Sequence, residues 1–366
     1  MNDTLQTALA AEIDERLDAG SGAAADLITV AGKHGRLTEL RRATEIDDNT
    51  ALGLALMIAH ARAGRPAEAL AQTPHCVTRD ATNAVRRFAH KLEAKAPPRD
   101  GPLLTRDGTP VIIVASYPRS GNTRFLNIVS GAFPRARYTA FMSEGRYVSP
   151  HAAFVDVPGP VTVKDHVFRS EYRHNPVIAL LRDGRDCALS HQDFLLRRPG
   201  TRVTAENADS LGLATGTEGE GPLFGGWPAF TRAALEAKAA GHAVEIVRYP
   251  DLVGPEGAAV VTGALTASGL KMSAAQYEEG LAFAQKRAND LRTKNVRWER
   301  TKIYPEGTLL SRWVEEEGDS TWRAVFADRH RRALHEAGFT EPLLAAGFES
   351  DPNWWSPDRA IVPSRD

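Results

Sequence analysis

Cysteine is nearly missing from this chain. Across 366 residues only Cys76 and Cys187 occur, far apart and without metal-site spacing, which excludes a disulfide framework and a zinc centre. A net field is missing too. With 45 basic and 46 acidic residues the formal charge is -1, so nothing draws the chain as a whole to nucleic acid or an anionic membrane. Any phosphate site must therefore be built locally. No apolar run reaches membrane-spanning length, and the opening MNDTLQTALAAEIDERLDAG carries acids where a signal peptide is basic, so the expectation is a cytoplasmic protein.

What is present divides near residue 100. Up to about Ala96, apolar residues recur at helical spacing, as in Leu5, Leu9, Ile13 and Leu17 or Val85, Phe88, Ala89 and Leu92. Residues 1–98 are expected to form a small all-α domain. Within it, Gly64 can end one helix and Pro66 open the next, making Ala51 to Gln72 a hairpin like one tetratricopeptide unit. No second copy stands at the 34-residue period of that repeat, so a helical cap and a partner-binding module both stay open. Pro97, Pro98 and Pro102 mark the boundary, and 99–366 form the second domain. Its short β-rich runs at Val111 to Ala115, Val161 to Lys164, Val177 to Leu181 and Val244 to Val247 are separated by segments long enough for crossover helices. The expected fold is α/β: a P-loop-like, three-layer α/β/α arrangement with a central parallel sheet. Gly200 to Gly226 reads as a mobile glycine-rich loop, Tyr277 to Arg292 and Trp322 to Ala337 as helices, and the tail with Trp354 and Trp355 as either packed back or frayed.

The first strand runs into Tyr117-Pro118-Arg119-Ser120-Gly121-Asn122-Thr123-Arg124 and then a helical apolar pattern. Strand, glycine loop and helix make an anion cradle, because loop and helix N-terminal N–H groups converge on one point and Arg119 adds charge. The loop carries no Gly-Lys pair and no evident magnesium ligands, which disfavours a Walker-type ATPase. Further on, Lys164 and His166 are two apart at a strand end, either a cation beside a base or a surface lysine beside a structural histidine. The run Val177 to Ser190 repeats the first logic. It delivers Arg182 to the sheet edge with Ser190 on the next helix, a second phosphate site or else a solvated, self-paired turn of Arg182, Asp183, Arg185 and Asp186.

Taken together, YPRSGNTR, KDH and RDGRDCALS resemble the YPKSGTTW loop, K-x-H strand and R-x(7)-S segment of cytosolic-type sulfotransferases that use 3'-phosphoadenosine 5'-phosphosulfate (PAPS), in the same order. Gly225-Gly226-Trp227 is similar to that family's GxW stretch and Tyr249-Pro250-Asp251 to its YED. The resemblance covers about Val111 to Phe348. It implies in-line sulfuryl transfer from PAPS, with adenosine 3',5'-bisphosphate as by-product, to a hydroxyl, or less readily an amine, of a small-molecule, sugar or lipid acceptor. It also implies roles: His166 as general base, Arg119 and Lys164 as charge stabilisers, Ser120, Gly121, Asn122 and Thr123 around the 5'-phosphate, Arg182 and Ser190 on the 3'-phosphate, and Tyr249 near adenine. No metal is implied. Arg119 stands where the family has lysine and Arg124 where it has the tryptophan that stacks on adenine. Arg312, in Ser311-Arg312-Trp313, approximates a C-terminal 3'-phosphate ligand. Phe168, Phe194 and Trp227 are candidates for an apolar acceptor site or for core. The competing functions are a P-loop-type kinase and a non-catalytic adaptor that works through its N-terminal helices.

Overall fold

The computed structural model describes Met57, Pro66–Ala71, Ala89, Glu93 and residues 100–356, except 135–136, 141–146, 153, 156–157, 198–200, 217–225, 295–303 and 316–321. Most of the expected helical domain, and Cys76, lie outside the described residues. The helix Pro66–Ala71 does open on its proline, where a missing N–H costs nothing.

The chain is a mixed α/β protein with a central parallel sheet. Among the described residues five strands make that sheet: β2 (Ile112–Ser116), β3 (Arg137–Thr139), β5 (Thr162–Asp165), β6 (Val177–Leu181) and β7 (Val244–Arg248), in the order β3-β5-β2-β6-β7. A second, two-stranded sheet pairs β1 (Leu104–Thr105) with β4 (Phe154–Val155). Strands buried on both faces need unbroken apolar runs, and β2 (IIVAS) and β6 (VIALL) are buried at every position. In β5 the same burial falls on TVKD, so Lys164 and Asp165 are only 3% and 1% exposed. Asp165 is satisfied there by the Arg169 guanidinium at 2.6 Å and the Tyr172 hydroxyl at 2.5 Å. Strand β5 stops at Asp165, so His166 lies just past it and not within it.

The described chain forms two compact units. One holds the described residues up to Val114 with Phe133–Asp165 and Arg169–Val177; the other holds Ala115–Ala132, His166–Phe168 and the described residues from Ile178 onward. In the first, Asn175 ties two backbone segments, accepting from the Leu103 N–H and donating to the Leu103 and Val111 carbonyls. The second contains the helices α1 (Asn122–Ala132), α2 (Gly184–Leu196), α3 (Gly226–Ala239), α4 (Gly257–Ala267) and α5 (Ala274–Lys294). Helices α1 and α5 touch at two glycines. A Cβ on Gly280 would sit 2.2 Å from the Ile128 carbonyl oxygen, and one on Gly131 2.7 Å from the Gly280 Cα. Only glycine allows that approach.

One expectation changes here, and one open alternative is decided. The stretch read as a mobile loop contains the one-turn helices Ala205–Ala208 and Gly212–Thr215, the first fixed by a Thr204–Asn207 capping box. The tail packs back as far as it is described: Trp354 is 3% exposed and Trp355 stacks on His335 at 4.0 Å.

The charged turn after β6 is mostly internal. Arg185 is fully buried, donates to both oxygens of Asp183 and to Glu349, and lies 3.9 Å over the Trp322 ring and 4.8 Å over Trp354. Beside it, burial first and the Asp183 carboxylate second push Asp186 up from 3.8 to about 6, against the pull of Arg182. The native state therefore holds this proton longer than the unfolded chain does. Stability falls as pH rises from about 4 to about 6 and stays lower above that. The variant Asp186→Asn keeps an oxygen for the Trp322 N–H, which Asp186 accepts at 3.0 Å. It is expected to raise the melting temperature near pH 8 and to leave it nearly unchanged near pH 4, as thermal denaturation at the two pH values will show.

Candidate functional site

The loop after β2 is built from two left-handed residues. Arg119 has φ 72° and Gly121 φ 92°, so the chain reverses twice before α1 begins. Ser120, turned inward between them, is 1% exposed and its hydroxyl meets the Cys187 thiol at 3.4 Å; burial pushes that thiol up to about 12. Gly121 is required on steric grounds as well, since a Cβ there would lie 2.5 Å from the Tyr249 ring. The first backbone link of α1 runs from the Phe125 N–H to the Gly121 carbonyl. The N–H groups of the helix's opening turn, which precede that link, have no carbonyl partner in the helix and face outward as donors.

That opening turn borders a cleft of about 650 Å³ in the second unit. One wall carries Arg119, Gly121, Asn122, Thr123, Arg124 and Asn127. Arg182, Ser190 and Tyr249 close one end. The opposite wall comes from α5, whose Leu281, Ala284, Gln285, Ala288 and Asn289 fall at helical spacing along one face. Among the described residues, three arginines and no carboxylate line it. In a chain of net charge -1 this is a local concentration of positive potential.

The arginines are held in place. Arg119 Nε donates to Ser190 Oγ at 2.7 Å, and its guanidinium lies 5.8 Å from the Phe194 ring centre. Arg182 lies 4.7 Å over the Tyr249 ring and donates to the Arg119 carbonyl at 3.4 Å. Asp183, next in the chain, gives its carboxylate to Arg185. The two readings of this turn thus divide by residue, Arg182 reaching the cleft while Asp183 and Arg185 pair internally.

His166 is 6% exposed, and its Nδ1 lies 2.7 Å from the Ser116 carbonyl oxygen. A carbonyl only accepts, so Nδ1 carries a proton, and in the neutral ring the lone pair is then on Nε2. The Ser116 hydroxyl in turn accepts from Asn122 Nδ2 at 2.9 Å. One residue at the end of β2 therefore fixes both the histidine tautomer and the first residue of α1.

No family model matches the chain and no curated protein matches it. Among solved structures, mouse sulfotransferase SULT7A1 complexed with PAP is similar over 64% of this chain and 83% of that one, at 15% identity and a TM-score of 0.43.

The residues named from sequence do not all meet. Arg119, Gly121, Asn122, Thr123, Arg124, Arg182, Ser190 and Tyr249 border the cleft; Ser120 underpins its loop. Lys164 is buried in β5 of the first unit. Arg312, on the helix Leu309–Glu315, does not line the cleft, and its charge adds to the burial that lowers His330. Phe168 packs edge-on against Phe230 at 6.2 Å, while Phe194 is 44% exposed. For Trp227 the core alternative is the one observed: it is 1% exposed and stacked on Phe339 at 5.2 Å, so it offers no surface to an acceptor. Sequence reasoning missed Ser116 and the α5 wall. The wall's signal was present in the spacing of Leu281, Ala284, Gln285, Ala288 and Asn289, but small and amide side chains carry no motif. Among the described residues no group of three His, Cys, Asp or Glu is arranged to hold a metal, and no helix is long and apolar enough to cross a membrane.

Proposed function

We propose that this chain is a sulfotransferase that takes PAPS as donor and moves its sulfuryl group to an acceptor hydroxyl, or less readily an amine, with His166 as general base. The observation that carries the reading is the cleft itself. Residues from three separated motifs, Arg119 with Gly121 to Arg124, Arg182 with Ser190, and Tyr249, line one cavity that among the described residues carries three arginines and no carboxylate. A ligand with phosphate groups at two positions suits that lining, and a magnesium nucleotide finds no lining carboxylate for its metal. The α1 turn supplies N–H donors for a 5'-phosphate, and Arg182 with Ser190 supplies charge and a hydroxyl for a 3'-phosphate. The base lies toward Arg124, whose planar guanidinium stacks on it where a tryptophan would, against the flat wall of Ala284 and Ala288.

In the transfer, the acceptor oxygen forms a bond to sulfur as the bond from sulfur to the phosphate oxygen breaks, and adenosine 3',5'-bisphosphate leaves with the electron pair. His166 Nε2 takes the acceptor's proton, its orientation set by the Nδ1–H bond to Ser116. Arg119 stabilises negative charge on the transferring group and the leaving phosphate.

Calorimetric titration tests the donor. Adenosine 3',5'-bisphosphate is expected to bind at least about tenfold more tightly than AMP, the 3'-phosphate adding charge-assisted bonds. Tighter binding of ATP with magnesium, and none of the bisphosphate, overturns the reading in favour of a kinase.

A further inference from the structure

We infer that Trp227 is a positioning residue for the 3'-phosphate anchor, acting through the backbone of Arg182. The inference rests on the donor assignment above. It starts from a coincidence of two contacts on one indole. Trp227 Nε1 donates to the Arg182 carbonyl at 3.0 Å, and the six-membered ring covers Gly184 so closely that a Cβ there would sit 2.5 Å from it. The indole thus holds the residue that follows β6 and the residue that starts α2, the two sides of a three-residue turn.

Position matters for this carbonyl because Arg182 does its work at the other end of the residue. Its guanidinium reaches the cleft between the Tyr249 ring, 4.7 Å away, and the Arg119 carbonyl, 3.4 Å away. Those two contacts restrain the side chain; the indole restrains the backbone from which it leaves. Phe339, stacked on the indole at 5.2 Å, fixes the indole plane from its side. Gly184 is required for this arrangement. It is the first residue of α2, and any side chain there displaces the ring that holds Arg182. Nothing about this role needs contact with ligand, and at 1% exposure Trp227 has none to offer.

The test separates positioning from folding by a ratio. For wild type and for Trp227→Phe, the dissociation constants of adenosine 3',5'-bisphosphate and of AMP are measured by calorimetry on the full chain. Phenylalanine keeps an apolar ring and loses the N–H. The preference for the bisphosphate is expected to fall about fivefold, the worth of one hydrogen bond, while AMP binds as before. A purely structural role lowers the folded fraction, weakens both ligands equally and leaves the ratio unchanged; that result overturns the inference. If Trp227→Phe does not fold, replacing the indole by benzothienylalanine, which has the same shape without the N–H, gives the same measurement. Failure of the donor assignment looks different: the wild type itself then shows no preference for the bisphosphate.

Discussion

Replacing His166 with alanine is expected to slow sulfuryl transfer by about 100- to 10,000-fold while adenosine 3',5'-bisphosphate binds with wild-type affinity. A general base that is positioned but does not hold the nucleotide should show this split. His166 is absent from the cleft lining as described, and its Nδ1 is engaged by the Ser116 carbonyl. Loss of the imidazole therefore removes the lone pair on Nε2 without removing a nucleotide ligand. A second variant sharpens the case. In His166→Asn, the amide can still donate toward Ser116 but has no basic nitrogen, so it should be as slow as alanine and better folded. Single-turnover transfer from labelled PAPS to a permissive phenol or alcohol, with calorimetry of the bisphosphate alongside, gives both numbers. Transfer within about tenfold of wild type in either variant, with nucleotide bound, means that some other group takes the proton.

The largest expected effect on stability belongs to Arg185. Breaking a buried ion pair by removing one partner costs about 3 to 5 kcal/mol, because the other charges stay behind without compensation. Arg185→Met leaves two such charges, the carboxylates of Asp183 and Glu349, both bound to the guanidinium in the native chain. It also removes a cation stacked on Trp322 and close to Trp354. The pH response should change sign at this site. Burial raises Glu349, but the hydrogen bonds from Arg185 and the Ser350 N–H outweigh it and hold the carboxyl below its ordinary value. In the wild type that contribution is present above the unfolded pKa and is lost as pH falls through the lowered native one. In Arg185→Met the stranded carboxylates are relieved by protonation, so the deficit shrinks in acid. Urea denaturation near pH 7 and near pH 4.5 measures both effects, and a loss under about 1 kcal/mol at neutral pH contradicts the account.

Much of the sheet was legible because parallel strands must be apolar on both faces, which made VIIVA and VIALL stand out. The cleft's loop side was legible for a related reason: glycine, arginine and hydroxyl residues just past such strands have few other uses. The rest depended on partners far away in the chain. Nothing local to Trp227 distinguishes an exposed aromatic from one seated on Gly184, 43 positions earlier, as the contact between them requires. Arg185 reads like its neighbour Arg182, and only Glu349 and the two tryptophans make it internal. Ser116 is an ordinary small residue until His166 and Asn122 are seen to share it.

The glycine pair between α1 and α5 bears on what the cleft can admit. Gly131 and Gly280 meet backbone to backbone, and both helices also carry residues that line the cleft. The gauge of the opening is therefore set outside the opening. On the proposed reading, exchanging Arg124, Gln285 or Asn289 is expected to alter how firmly the nucleotide's ring is gripped and to leave the gap the same. On that reading selectivity and aperture are separately adjustable, the first by side chains and the second by two glycine hydrogen atoms.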